Sequence, residues 1–148
     1  MIAIGSDHGG YKLKEEIKKY LNEKEIEFID VGTYSEENVD YPDIAKNVCN
    51  LVQLKKAEYG ILVCRTGLGM SITANKFKGI RAAVVTTEEI AKRAKMHNNA
   101  NVLCLGADHL TVNNAICILR MWIATQYEGG RHEARLKLIE EIENENMK

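Results

Sequence analysis

Short runs of apolar and often β-branched residues alternate along this chain with longer segments whose apolar residues recur every three or four positions. Residues 2–4 read Ile-Ala-Ile, and Leu13, Ile17 and Leu21 then follow at four-residue spacing among lysines and glutamates. A continuous apolar run is typical of a buried strand, whereas the four-residue spacing places one apolar face on a helix. The chain therefore begins with a predicted strand followed by a predicted helix.

The same alternation continues to the end of the chain. Further strands are predicted over residues 26–31, 59–64, 80–86 and 101–105. Helices are predicted from Pro42 through Val52, from Met70 or Ser71 onward, over 87–96, over 111–127 and over about 131–147. This order predicts a three-layer α/β/α, Rossmann-like domain with right-handed crossovers and a parallel sheet of about five strands. No linker interrupts the pattern, so residues 1–148 are predicted to form a single domain.

Composition narrows the class of protein. The 148 residues are 45% hydrophobic and 28% charged, which is typical of a globular domain and excludes a disordered chain. The 20 lysines and arginines nearly cancel the 21 aspartates and glutamates, so no overall field attracts nucleic acid or an anionic membrane. The apolar runs are too short to span a membrane, and the four cysteines form no CxxC pair. We expect a cytoplasmic protein with reduced thiols.

In an open parallel sheet, the ligand site lies at the carboxyl ends of the strands, and we expect the functional residues there. The first strand is followed by residues 5–10, which read Gly-Ser-Asp-His-Gly-Gly. Their N–H groups could face an anion beside Asp7 and His8. The alternative is a tight turn in which Asp7 caps the next helix. A dinucleotide site with Asp30 on a ribose is a third interpretation, although the glycines do not follow the GxGxxG spacing.

The third predicted strand ends at Cys64 and leads into residues 65–69, Arg-Thr-Gly-Leu-Gly. A thiol at this point lies near N–H dipoles that favour a thiolate, and the loop amides and the Thr66 hydroxyl could stabilise an oxyanion. Together these groups suit the removal of a proton next to a carbonyl. The alternative is that Cys64 is a small core residue at the end of an apolar strand.

Two later segments also carry candidate site residues. His97 and Asn98 follow a predicted helix, and the histidine is either a general acid or base or part of a helix C-cap. Arg131 and Arg135 lie four residues apart, on one face of the last helix near its N-terminus. Two guanidinium groups at a helix N-terminus suit a phosphate group. Without a bound anion, the positive end of the helix dipole disfavours cations at this position, so a purely structural role is a poor explanation for the pair. The histidines and acids show no metal-ligand spacing, and we predict no metal site.

Together these segments resemble the type B ribose-5-phosphate isomerases, within the ribose/galactose phosphate isomerase family. The resemblance covers almost the whole chain, and the joint order and spacing of its motifs are highly specific. The matching stretches are Ser6-Asp7-His8-Gly9-Gly10 with Lys14, Asp40-Tyr41-Pro42, Cys64 with Thr66-Gly67-Leu68-Gly69, Ser71 with Ala74-Asn75-Lys76, Gly79-Ile80-Arg81-Ala82, His97-Asn98 with Ala100-Asn101-Val102, and Glu128-Gly129-Gly130-Arg131-His132 with Arg135.

The resemblance implies interconversion of D-ribose 5-phosphate and D-ribulose 5-phosphate without a metal or organic cofactor, in a homodimer whose sites use both subunits. By position, it implies that Cys64 moves a proton between carbons 2 and 1, that Thr66 helps to hold the oxyanion, and that His97, helped by Asp7, opens the furanose ring. The last helix, over about 131–147, would contribute to the dimer site. The substrate-binding residues would be Asp7, His8, Arg65, Thr66, Gly67, Leu68, Gly69, Ser71, Asn75, Asn98, Asp108, Arg131 and Arg135.

Two positions depart from the family's pattern. Members usually have glycine where this chain has Arg65, and often a cation where it has Asp108. We predict that the two changes are linked, with Arg65 either replacing the lost cation near the phosphate or pairing with Asp108. Two other functions stay open at this point. One is isomerisation of a six-carbon substrate such as allose 6-phosphate or galactose 6-phosphate, and the other is non-catalytic binding of a sugar phosphate or nucleotide.

Overall fold

The protein is built on a five-stranded parallel sheet, seen in a computed structural model that describes residues 1–147. The strands follow the order β2-β1-β3-β5-β4 across the sheet, and every neighbouring pair is parallel. Their bounds are β1 (Ile2–Ser6), β2 (Phe28–Asp30), β3 (Tyr59–Cys64), β4 (Ala82–Val84) and β5 (Val102–Gly106). The predicted strand number and parallel arrangement are confirmed.

Helices cover both faces of this sheet. Their bounds are α1 (Tyr11–Glu23), α2 (Tyr41–Gln53), α3 (Leu68–Ala74), α4 (Glu88–Met96), α5 (Val112–Ala124) and α6 (Arg131–Asn146), and a short 3-10 turn at His8–Gly10 precedes α1. The apolar residues of α1, α4 and α5 form one core cluster and those of α2 and α3 another. The three-layer α/β/α architecture is therefore confirmed. Among residues 1–147, no helix is both long and apolar enough to cross a membrane.

Several elements begin or end at other residues than predicted. β2 and β4 are three residues each because they form the two edges of the sheet and pair on one side only. α3 begins at Leu68 rather than at Met70 or Ser71, since Gly67 adopts a left-handed conformation (φ +82°) and starts the helix at once. α5 ends at Ala124, three residues before the predicted end.

Asp30 is engaged in a buried ion pair, and this corrects the dinucleotide interpretation. The fully buried Lys14 places its Nζ 2.7 Å and 2.8 Å from the two carboxylate oxygens of Asp30 and 2.6 Å from the carbonyl of Thr33. Lys18 and the amide of Gly32 donate to the same carboxylate. The carboxylate is therefore occupied by the protein's own cations and is not free for a ribose.

Candidate active site

The three central strands end side by side, and the loops that follow them are joined by backbone hydrogen bonds. The amide of Asp7, after β1, donates to the carbonyl of Val63 in β3 over 3.1 Å. The amide of Asp108, after β5, donates to the carbonyl of Arg65 over 2.9 Å. Asp7, Cys64, Arg65 and Asp108 thus lie at the carboxyl edge of the sheet, where the sequence places them.

Cys64 lies at the centre of this edge, directly beside the loop that starts α3. The thiol belongs to a buried residue, and its Sγ accepts a hydrogen bond of 3.2 Å from the amide of Gly67. The amide of Leu68 donates to Thr66 Oγ1 over 3.2 Å. The amide of Gly69 lies in the first turn of α3, where N–H groups have no acceptor within the helix. The thiol, the Thr66 hydroxyl and the first N–H groups of α3 thus belong to one short stretch of chain, which is the kind of arrangement that can stabilise an oxyanion.

Two glycines allow these loops to pack closely. A Cβ on Gly106 would lie 2.6 Å from the carbonyl oxygen of Thr66, and one on Gly9 would lie 2.6 Å from Cγ of Arg65. The Arg65 side chain therefore crosses the first loop, and its Nη1 lies 3.8 Å from Oδ1 of Asp108. Of the two predicted roles for Arg65, pairing with Asp108 is the one that the structure shows.

Asp7 and His8 are fixed by hydrogen bonds within the first loop. Oδ1 of the buried Asp7 accepts from the amide of Gly10 over 3.0 Å, so the predicted capping role is confirmed. His8 Nδ1 accepts from the amide of Val39 over 3.3 Å. When neutral, this imidazole therefore carries its proton on Nε2, which is then a hydrogen-bond donor suited to a phosphate oxygen.

A second group of candidate residues surrounds the end of α4 and the start of α6. His97 is the C-cap residue of α4, as its capping interpretation predicts, and Asn98 follows it. The imidazole of His97 stacks on that of His132, with ring centroids 4.3 Å apart and planes inclined by 18°. The carboxylate of Glu128 lies 3.8 Å from Nε2 of His97 and 4.0 Å from Nε2 of His132. Arg131 begins α6 and Arg135 follows one turn later.

The two groups lie at opposite ends of the sheet. Cys64 is paired with Gly106 at the end of β5, whereas His97 precedes the start of β5 at Val102. At about 3.3 Å per residue, the five residues of β5 separate the two ends by roughly 15 Å. The expectation that the candidate site residues all follow strands is therefore wrong for four of the second group, because the crossover helix α4 returns to the amino edge and α6 begins beside its end. The four are His97, Asn98, Arg131 and Arg135.

Asn75 bonds to the start of β4 with both polar ends of its side chain. Its Oδ1 accepts from the amide of Ala82 over 2.9 Å, and its Nδ2 donates to the carbonyl of Ala82 over 3.0 Å. Both polar ends of the side chain thus attach the end of α3 to the edge strand β4, and a contact of Asn75 with the substrate, which stays a prediction, would have to replace one of these bonds. Ser71 lies on α3 with its hydroxyl 3.5 Å from the Asn75 amide nitrogen, and its role stays a prediction.

Sequence reasoning missed Glu128 and the partnership of His132 with His97. His132 is 7% exposed, and its Nε2 has no hydrogen-bond partner among the described residues. Burial and the nearby charges of His97 and Arg131 lower the pKa of His132. The sequence did contain one indication of their importance. Glu128 and His132 flank the stretch that leads into the helix carrying Arg131 and Arg135.

A family model, a relative and two solved structures all point to the same protein family. Residues 2–139 match the family model described as ribose/galactose isomerase. Ribose-5-phosphate isomerase B of Escherichia coli is 45% identical over 142 residues, covering 96% of this chain and 95% of that protein. The structure of ribose-5-phosphate isomerase B from Clostridium thermocellum is 46% identical, covers 97% of both chains and superposes with a TM-score of 0.96. The Mycoplasma genitalium enzyme, solved with bound ribulose 5-phosphate, is 41% identical and covers 98% of this chain and 97% of that chain, with a TM-score of 0.93.

Proposed function

The chain belongs to the ribose/galactose isomerase family, and on this premise we propose that it interconverts D-ribose 5-phosphate and D-ribulose 5-phosphate. The observation that carries the proposal is the contact of Cys64 with the N–H-lined loop at the start of α3. Relatives named for this activity, at 41–46% identity over nearly the whole chain, support the same choice of substrate.

The reaction moves one proton between neighbouring carbons. A proton next to a carbonyl is only weakly acidic, so a base and a group that holds the resulting enediolate must act on the same carbon. Cys64 takes the proton from carbon 2 and returns it to carbon 1, while Thr66 and the amide of Gly69 hold the oxyanion. The proton on the oxygen of carbon 2 passes to that of carbon 1, which leaves the carbonyl at carbon 2. The reaction needs no metal or organic cofactor.

Ring opening and phosphate binding use the second group of residues together with Asp7 and His8 of the first loop. His97, helped by Asp7, moves the proton that opens the furanose ring, and Asn98 binds the sugar hydroxyls. His8, Arg131 and Arg135 hold the phosphate by charge-assisted hydrogen bonds, which orient the reacting end of the sugar. Asp7 and His8 lie at the same edge of the sheet as Cys64, but His97, Asn98, Arg131 and Arg135 lie at the other edge. No single chain therefore brings these four residues to Cys64.

A homodimer resolves this separation. In a two-fold pair, the α4–α6 region of one protomer completes the Cys64 site of its partner. Exposed apolar side chains on α3 and α6 support such an interface, namely Leu68, Ile72, Leu138, Ile139 and Ile142. Residues 1–148 then act as one isomerase domain, with α6 reaching the shared site. Of that range, residue 148 lies outside the described part of the chain. The four free cysteines suit a reducing compartment such as the cytoplasm.

The proposal is tested by assaying the purified protein on ribose 5-phosphate, allose 6-phosphate and galactose 6-phosphate in chelator-treated buffer. We expect turnover on ribose 5-phosphate, together with exchange of the carbon-bound proton with solvent deuterium, followed by NMR. Faster turnover on a six-carbon substrate would reassign the substrate. Binding of ribose 5-phosphate without turnover or exchange would contradict the isomerase proposal and favour a binding protein.

A further inference from the structure

Two imidazoles and a carboxylate converge where the end of α4 meets the start of α6. The ligand atoms of His97, Glu128 and His132 all lie within 4.8 Å of one another. The backbone holds them there, because the amide of Glu128 donates to the carbonyl of Met96 over 2.9 Å, next to His97. Two histidines and one carboxylate, with a fourth position left to solvent, form a donor set that zinc and similar ions use in proteins.

His132 provides an independent indication that a ligand binds here. The residue is more than nine-tenths buried, and its Nε2 lacks a hydrogen-bond partner among residues 1–147. Buried polar nitrogen atoms are rarely left unpaired, because each loses its hydration without replacement.

We propose that His97, Glu128 and His132 bind a divalent transition-metal ion such as Zn²⁺, and that the bound ion inhibits the enzyme by occupying His97. The inhibitory part rests on the proposed function, since it requires His97 to open the sugar ring. Binding itself does not depend on that function. The ion is thus a reversible inhibitor and not a cofactor, in keeping with a reaction that needs no metal.

Metal binding requires His97 to turn out of its stack on His132, because the two ring planes are inclined by only 18° and the nitrogen lone pairs lie in those planes. The ligand atoms must also move closer together. Tetrahedral zinc with bonds of about 2.0–2.1 Å places its ligand atoms roughly 3.3 Å apart, which is closer than they stand without the ion. The side chain of Glu128 is 53% exposed and that of His97 is 25% exposed, so both can rotate toward the more deeply buried His132. The positive charges of Arg131 and Arg135 near His132 oppose a cation and favour reversible binding.

Calorimetric titration of metal-stripped protein with Zn²⁺ tests the site. We compare the wild type with His132→Asn and Glu128→Gln, and use His109→Asn as a matched control because His109 is exposed and outside the cluster. Loss of an outer-shell partner alone weakens metal sites by about 10- to 100-fold, so loss of a ligand should weaken binding at least about tenfold. The control should bind like the wild type. Equal affinity in His132→Asn and the wild type would overturn the proposal and direct attention to the Cys64 thiol.

Isomerase assays distinguish this proposal from the proposed function. Zn²⁺ should slow turnover of ribose 5-phosphate by the wild type, a chelator should restore it, and His132→Asn should resist the ion. If Zn²⁺ binds the wild type without slowing its turnover, the inhibitory role is wrong. If the metal-free protein binds Zn²⁺ at the cluster and yet never isomerises ribose 5-phosphate, the proposed function fails while the metal site stands.

Discussion

Cys64 and His97 lie at opposite ends of the same parallel sheet. Cys64 ends β3 at the carboxyl edge, and His97 ends α4 near the amino end of β5. A base and a ring-opening residue that act on one sugar must meet within a few ångströms, which no folded single chain of this topology achieves. The proposed function therefore requires a second copy of the chain to complete the active site, which makes the oligomer part of the proposed mechanism.

The pairing of Arg65 with Asp108 predicts that substitutions at the two positions are coupled. Both side chains are at least half exposed, at 61% and 50%, so the pair itself is worth about 0.2–1 kcal/mol. Asp108→Arg alone places two like charges together and should raise KM for ribose 5-phosphate. Adding Arg65→Gly should bring KM back toward the wild-type value. Strictly additive effects in this double-mutant cycle would show that the two departures are independent.

Replacing Asp30 should destabilise the fold without a direct effect on the site. Asp30→Asn leaves the fully buried Lys14 with only the more distant carboxylate of Glu15, 3.8 Å away, which costs about 3–5 kcal/mol in the free energy of unfolding. Glu36→Gln is the matched control, because the Lys12–Glu36 pair is exposed and should contribute less than about 1 kcal/mol. Chemical denaturation at one fixed protein concentration measures both. An equal decrease in the free energy of unfolding in the two variants would show that the buried pair stabilises the fold no more than an exposed pair does.

The same aspartate predicts a pH dependence at the acid end. Burial acts to raise the pKa of Asp30, but hydrogen bonds from Lys14 and Lys18 dominate and lower it below its ordinary value of 3.8. The stabilisation is therefore complete well above pH 3.8 and is lost as the pH falls through the folded-state pKa. Asp30→Asn should lack this part of the acid transition, and an unchanged acid profile in the variant would contradict the assignment.

Lys95 predicts a pH dependence at the alkaline end. Its Nζ donates to the carbonyl of Trp122 over 2.9 Å and lies 4.0 Å from the centroid of the Tyr59 ring. Burial lowers the pKa of Lys95 from 10.5 to about 8, against the charge of Glu58. The unfolded chain then binds more protons between these values, so the group adds stability as the pH rises from about 8 to 10.5, by up to about 3 kcal/mol.

Lys95→Met isolates this contribution. The wild type should gain stability relative to the variant between pH 7.5 and pH 9.5, because the variant has no group to lose a proton at this position. Comparing the two proteins at each pH cancels the tyrosines and other lysines that they share. A stability difference that does not change with pH would show that Lys95 titrates normally in the folded protein.

Asn75→Ala distinguishes a structural role of the Asn75 side chain from the predicted contact with the substrate. Loss of the two hydrogen bonds to Ala82 should lower stability by about 1 kcal/mol, because both bonds are exposed and water can replace them in part. KM for ribose 5-phosphate should stay unchanged. Gln53→Ala, which removes a single exposed hydrogen bond to the carbonyl of Lys78, serves as the control. A raised KM with unchanged stability would favour the predicted contact of Asn75 with the substrate.

Local elements could be predicted from the sequence, whereas contacts between distant segments could not. Periodicity located the strands and helices, and turn chemistry located the Asp7 cap, because both depend on neighbouring residues. The partners of Asp30 and Asn75 come from other elements, and the sequence holds no sign of them. The position of His97 could have been inferred, since a residue that follows a crossover helix must lie at the amino edge of a parallel sheet.

The most direct test of the account asks whether Cys64 and His97 act across two chains. Cys64→Ser and His97→Asn homodimers should each lose about 100-fold or more of the isomerase activity. Cys117→Ser is the control, since this half-buried thiol lies on α5, outside both groups of site residues. Heterodimers of the two site variants, purified through a different tag on each chain, contain one intact site and one doubly substituted site. The account predicts about half of the wild-type activity per dimer, and heterodimers as inactive as either parent would contradict it.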